Sequence, residues 1–158
     1  MIKTQIVSVG KLKEKSTLSL IEEYQKRLSK YTEFQSFEVK DLSLPDNPTE
    51  KEIEAVLKKE AESILKLLPK NLIKTALTIG GKQYSSEKFA EFIDVNKLSG
   101  GICFVIGSSH GLHKSVIDAC DNEISLSKMT LPHNLARLIL TEQIYRSFKI
   151  LSNENYHK

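Results

Sequence analysis

Five consecutive apolar residues, Ile102-Cys103-Phe104-Val105-Ile106, stand between Gly100-Gly101 and Gly107, and no other stretch of the 158-residue chain constrains the fold as much. A short run that is apolar on both alternating faces and bounded by glycines reads as a strand covered on both sides, as inner strands of parallel sheets are. Such a sheet requires helices against its faces, and the rest of the sequence supplies strands and helices in alternation.

Residues 2–9 predict a first strand that stops at Gly10. Ser16 or Thr17 is placed to cap a helix in which Leu18, Ile21, Tyr24, Leu28 and Tyr31 recur at helical spacing. Phe34 to Val39 alternates as a second strand. After the turn Leu44-Pro45-Asp46-Asn47-Pro48, Thr49 with Glu52 forms a capping-box signature, and a helix follows through Ile53, Val56, Leu57, Ala61, Ile64, Leu65 and Leu68 until Pro69. Residues 73–79 predict a third strand, Gly80-Gly81-Lys82 a turn, and Ser85 or Ser86 the cap of a helix containing Phe89, Ala90 and Ile93. Beyond the central apolar strand come a tight loop at 107–111, a short helix through Leu112, Val116, Ile117 and Cys120, a short strand at 124–127, a loop at 128–134 capped by Asn134, and a long helix over 135–151. The expectation is one α/β domain over residues 1–158, with a mainly parallel sheet flanked by helices.

No apolar run approaches membrane-spanning length, and the N-terminus lacks the apolar stretch and cleavage site of a signal peptide, so a cytoplasmic protein that does not engage membranes is expected. Cys103 and Cys120 then read as reduced thiols. The net charge is only +3, but residues 124–158 carry Lys128, Arg137, Arg146, Lys149 and Lys158 against Glu142 and Glu154. The whole excess lies in that segment, which suits an anionic partner and equally suits a solvated helix face with a charged tail.

In parallel α/β sheets, ligands sit beyond the carboxyl ends of the strands. Three loops qualify: 80–86, 107–112 and 128–134. Gly80-Gly81-Lys82-Gln83 lacks the spacing of a phosphate-binding P-loop, and Gly107 to Gly111 does not match the dinucleotide fingerprint, which disfavours NTPase and hydride-transfer chemistry. His110 and His113 have metal-like spacing, but no further ligands complete a set, so no metal is expected. No G-x-S-x-G elbow supports a serine hydrolase.

The long last helix is apolar on two sides. Leu135, Leu138, Ile139 and Ile150 share one side, and Leu140, Ile144, Phe148 and Leu151 share the other. One face can cover the sheet, and a twin subunit is the simplest cover for the second, which predicts a homodimer. Arg137 and Arg146, nine residues apart, fall on opposite sides of that helix.

Several segments, in order and nearly end to end, carry a resemblance: Val9-Gly10-Lys11-Leu12-Lys13; Gly81-Lys82 with Ser85-Ser86-Glu87; Phe104-Val105-Ile106-Gly107 with Gly111-Leu112; Leu126-Ser127-Lys128-Met129-Thr130-Leu131-Pro132-His133; Glu142-Gln143-Ile144-Tyr145-Arg146; and Tyr156-His157-Lys158. The chain resembles the ribosomal RNA large subunit methyltransferase H family, within the SPOUT class of knotted methyltransferases. The resemblance implies a homodimer with a C-terminal trefoil knot that takes a methyl group from S-adenosylmethionine. It implies N3 of a pseudouridine in large-subunit ribosomal RNA as the acceptor and the assembled ribosome as the substrate. By position it implies cofactor contacts at Leu77, Gly107, Leu126, Ser127, Lys128, Met129, Thr130 and Leu131. It makes His133, Arg137, Tyr156 and His157 catalytic candidates, with Arg146 and Lys158 on RNA and Pro132 beside them. Ser108 departs from the family, which has a second glycine there. Two alternatives remain open: a knotted methyltransferase for another RNA nucleotide, and a ribosome-binding factor without catalysis, to which Ser108 points.

Overall fold

The computed structural model describes residues 1–158, and one five-stranded sheet organises all of them. The strands are β1 (Ile2–Val9), β2 (Thr32–Val39), β3 (Ile73–Gln83), β4 (Gly101–Ile106) and β5 (Asn122–Ser125). The helices are α1 (Lys15–Leu28), α2 (Glu50–Leu67), α3 (Ser86–Asn96), α4 (Lys114–Ala119) and α5 (His133–Leu151). The strand order is β2-β1-β4-β3-β5, and every pairing is parallel. All six residues of β4 are buried, as expected for an inner strand with helices on both sides.

Side-chain alternation along the strands divides the core in two. On one face Ile6, Ile102, Phe104, Ile106 and Ile124 meet Leu28 of α1, Phe89 and Ile93 of α3, and Leu140, Ile144 and Phe148 of α5. On the other, Val7, Val9, Val39, Cys103 and Val105 meet Ala61 and Ile64 of α2 and Val116 of α4. The layering is therefore helix, sheet, helix, with α5 touching both α1 and α3.

The capping box at Thr49 and Glu52 is formed, and Ser85 caps α3 by accepting from the Lys88 N–H. Four local expectations are corrected. α1 begins at Lys15 with Glu14 at its cap position, because the Thr17 hydroxyl is buried and donates to Glu14 Oε2 at 3.3 Å instead of capping. Asn134 lies inside α5, whose cap position is Pro132, and its amide nitrogen donates to Glu14 Oε1 at 3.4 Å. β3 does not turn at Gly80-Gly81: after an irregularity between Leu77 and Lys82 it pairs again with β5, Lys82 opposite Ile124 and Gln83 opposite Ser125. β5 ends at Ser125, two residues short of the expected strand, where the Ser125 hydroxyl donates to the Ser127 carbonyl at 2.9 Å and draws the chain into a loop.

Candidate cofactor cavity and C-terminal cluster

The chain runs from β3 to its neighbour β4, then crosses back over β3 to β5. A reversal of this kind opens a crevice beyond the carboxyl ends of the strands involved. A cavity of about 490 Å³ lies there, walled by Leu77–Ile79 from β3, Ile106–Ser109 and Gly111 after β4, and Ser125–Ser127, Met129–His133 and Ala136 after β5. That volume falls within the roughly 300–1,000 Å³ of small-molecule sites.

Residues 127–131 lie outside helices and strands, and none of their backbone groups is used in a turn, loop or cap hydrogen bond to other backbone. Side chains occupy two of these groups: Ser125 donates to the Ser127 carbonyl, and the Met129 N–H donates to Ser127 Oγ at 3.0 Å. The others are free to read the polar edge of a ligand, since backbone N–H and C=O groups need partners when enclosed. No Asp, Glu, Lys or Arg lines the cavity, and its one ionisable side chain is His133. No group of three His, Cys, Asp or Glu residues is placed to hold a metal ion. An uncharged pocket with apolar walls and open backbone groups fits an adenosine-bearing cofactor such as S-adenosylmethionine.

Gly107 is required for the shape of this wall. A Cβ there would stand 2.3 Å from the Gly111 carbonyl oxygen, because residues 108–111 close a tight turn with the Gly111 N–H donating to the Ser108 carbonyl at 2.9 Å. Ser108 itself does not have a positive φ, so serine in place of glycine brings no backbone strain, and its side chain lines the cavity.

His133 projects from the start of α5 against the end of β1. Gly10, at φ +99°, passes so close that a Cβ would lie 3.1 Å from His133 Nε2. Gly10 reads in sequence as the stop of a strand and as part of the segment 9–13; its role as the seat of the imidazole depends on a residue 123 positions later in the chain.

The structure separates the other candidates from this cavity. Lys128 is exposed and does not line it. Arg137 is only 6% exposed and turned to the edge strand, where Nη1 donates to Glu38 Oε2 and Nη2 to Ser36 Oγ, both at 2.9 Å. Arg146, Tyr156 and His157 gather near the other end of α5, thirteen residues or about 20 Å of helix from His133. There Glu142 Oε1 accepts from Arg146 Nη2 at 2.6 Å and from the Tyr156 hydroxyl at 2.9 Å. Arg146 Nη1 donates to His157 Nδ1 at 3.2 Å, so Nε2 carries the ring proton and donates to Glu87 Oε1 at 2.7 Å. Burial first, then hydrogen bonding with Tyr24 and Glu142, pushes the Tyr156 hydroxyl well above its ordinary pKa, and the Glu142 hydrogen bond raises that of Arg146. Lys158 is exposed at the chain end. Glu142 and Glu87, the acids that organise this cluster, stand out in the sequence only as members of longer motifs.

Comparison with known proteins agrees with this architecture. A family model described as "Predicted SPOUT methyltransferase" matches residues 2–157. The ribosomal RNA large subunit methyltransferase H of Clostridium beijerinckii is 45% identical over 97% of this chain and 98% of its own length. Its namesake from Clostridium botulinum strain Hall is 46% identical over the same shares. Among solved structures, a probable methyltransferase from Bordetella pertussis superposes with a TM-score of 0.57 at 12% identity, covering 93% of this chain and 95% of that one. A probable methylase family protein from Haemophilus influenzae gives 0.56 at 15% identity over 100% and 72%. At those identities the solved structures speak for the fold alone, whereas the near-complete match to the family model and to close relatives decides membership: the chain belongs to the SPOUT methyltransferase family.

Proposed function

We propose that this chain transfers a methyl group from S-adenosylmethionine to N3 of a pseudouridine in large-subunit ribosomal RNA, with the assembled ribosome as substrate and the cytoplasm as its place of action. The observation that carries the reading is the switch-point cavity, in which an uncharged lining and open backbone groups meet a single imidazole, His133. The names of the relatives supply the RNA class. No helix is long and apolar enough to cross a membrane.

Bound in this cavity, S-adenosylmethionine supplies a methyl group already activated by its sulfonium, so the protein's task is alignment rather than activation. Leu77, Gly107, Leu126 and Leu131 hold the cofactor by shape, while free backbone groups of residues 127–131 fix its polar edge. The N3–H of the target is a weak acid that must be removed. A ring nitrogen of His133, at the cavity wall, receives that proton, and nearby cationic side chains stabilise the resulting anion.

The C-terminal cluster, with the cation Arg146 at its centre, belongs to the same proposal. Arg146, Tyr156 and His157 are too far along α5 to serve the cavity of their own chain, but a second copy could present them. Leu135 and Ile139, 41% and 37% exposed on α5, provide an apolar face for that copy. The active site is thus read as composite and the protein as a homodimer, with Arg146 and Lys158 on RNA. The C-terminal trefoil knot is part of this proposal and rests on the family resemblance.

The test is mass spectrometry of ribosomal RNA from cells with and without the gene, together with methylation of purified ribosomes. A methyl group on N3 of a large-subunit pseudouridine that disappears with the gene supports the reading. Loss of a methyl group from another nucleotide, or no loss, overturns it.

A further inference from the structure

A second cavity, of about 280 Å³, lies on the far side of the turn that follows β4, between α2 and the loop joining β2 to α2. Ser108 and Ser109 line both cavities, so the two share a wall. Val56 and Leu57 form apolar walls of this second cavity, and Asp41, Glu60 and His110 provide its polar groups.

Glu60 is the unexplained residue. It is only 3% exposed, and its Oε2 accepts from the Leu42 N–H at 3.3 Å. Its Oε1 is buried and has no partner. A buried carboxylate oxygen without a donor is costly; burial and the neighbouring Asp41 carboxyl raise the pKa of this carboxyl, against the opposing influence of the Leu42 N–H and the nearby Ser108 hydroxyl. An occupant that brings an N–H would remove the cost. No Lys or Arg lines the cavity, so an anionic group does not fit inside it.

Exposed lysines stand at the same end of the sheet, among the acids Asp41, Asp46, Glu50 and Glu54 of the β2–α2 loop and α2. Lys11 and Lys13 follow β1 and Lys40 follows β2, and the parallel register places these loops at the same edge of the sheet as the turn after β4. All three lysines are exposed and form no ion pair. A donor-seeking pocket at the same end of the sheet as these exposed lysines matches one unstacked base on a phosphate backbone.

We propose that this cavity receives an unstacked RNA base flanking the methylated nucleotide, and that Glu60 selects a base bearing an exocyclic amino group. The inference rests on the RNA methyltransferase reading above. Seated with the same edge inward, adenine or cytosine satisfies Glu60 Oε1 with an amino N–H. Uracil presents a carbonyl oxygen in that place, against Glu60 and Asp41. Val56 and Leu57 contact the base, and the exposed His110 imidazole stacks on it at the mouth. Because Ser108 and Ser109 wall both cavities, a base seated here fixes the register of the strand against the cofactor.

The experiment is equilibrium binding of fluorescein-labelled hexaribonucleotides of A, C and U to the full-length protein. The expected result is that oligo-A or oligo-C binds roughly tenfold more tightly than oligo-U, the scale of one good base contact. In Glu60→Gln the amide keeps an acceptor for Leu42 and turns a donor into the cavity, so the preference moves towards oligo-U. Val56→Trp fills the cavity while leaving the carboxyl, and abolishes the preference. Lys11→Ala with Lys13→Ala weakens all three RNAs alike. Equal binding of the three RNAs by the native protein, or no binding of any, overturns the proposal. So does a preference that survives in both pocket variants, or a Glu60→Gln protein that loses only thermal stability. Ribosomal RNA methylation by the native protein, measured in parallel, separates the two readings: methylation without base preference refutes this inference alone.

Discussion

Gly10 and His133 are in register as seat and ring: the imidazole lies where a side chain on residue 10 would be, 3.1 Å from the position of a Cβ. Replacing Gly10 with alanine therefore acts twice. The φ of +99° costs an L-residue about 1–2 kcal/mol, and the methyl group displaces the ring. Gly10→Ala should lower the methylation rate at least tenfold while cofactor affinity, measured by calorimetry, stays within about threefold. Unchanged methylation would separate His133 from the chemistry.

The guanidinium of Arg137 is divided between Glu38 and Ser36. Lysine cannot reproduce that fork. Both Arg137→Ala and Arg137→Lys should destabilise the protein, by about 1.5–3 kcal/mol for the alanine, the range for hydrogen bonds to charged groups. Urea titration checks this. Co-refolding of inactive His133→Ala with inactive Arg146→Ala should restore activity in the heterodimer, which then contains one intact composite site. A verified but inactive heterodimer contradicts the composite site.

The two faces of α5 make different predictions. Ile144 is fully buried in the chain's own core, so Ile144→Asp should prevent folding. Leu135 and Ile139 are partly exposed, so Ile139→Asp should yield a folded monomer in sedimentation experiments at micromolar concentration. A native protein that is itself a monomer there rejects the homodimer.

Burial pushes the Cys103 thiol from 9.0 up to about 12 and the Cys120 thiol to about 11. The folded state favours the protonated thiols, so their contribution to stability is full below about pH 9 and is lost as pH rises towards 11–12. Thermal melts should show alkaline destabilisation across that window, reduced in Cys103→Ala relative to its own neutral-pH baseline. At pH 8 both thiols should alkylate slowly in the native protein and rapidly in urea.

Methyl transfer should proceed unchanged in the presence of a chelator, since no metal-ligand group is assembled. Activity abolished by chelation and restored by zinc or magnesium refutes this.

Local periodicity was enough to place most of this molecule. The apolar run 102–106 marked the inner strand, the capping box at Thr49 set the start of α2, and the segment 126–133, most of which lines the switch-point cavity, stood out because its residues are contiguous. Such patterns say which face of an element is apolar and where it stops, because both are set within a few residues. They do not say what covers the face. The Arg137–Glu38 pair spans 99 residues and the Tyr24–Tyr156 contact spans 132. The second pairing of β3 with β5 overrides a Gly-Gly turn signal, and the unmet oxygen of Glu60 exists only because the β2–α2 loop folds over α2. The sequence determined most of the elements, their order and the segment that walls the switch-point cavity. The tertiary structure alone decided the strand order and the seating of His133 on Gly10. It also moved Arg146, Tyr156 and His157 away from their own chain's cavity, because those relations depend on which distant surfaces bury one another.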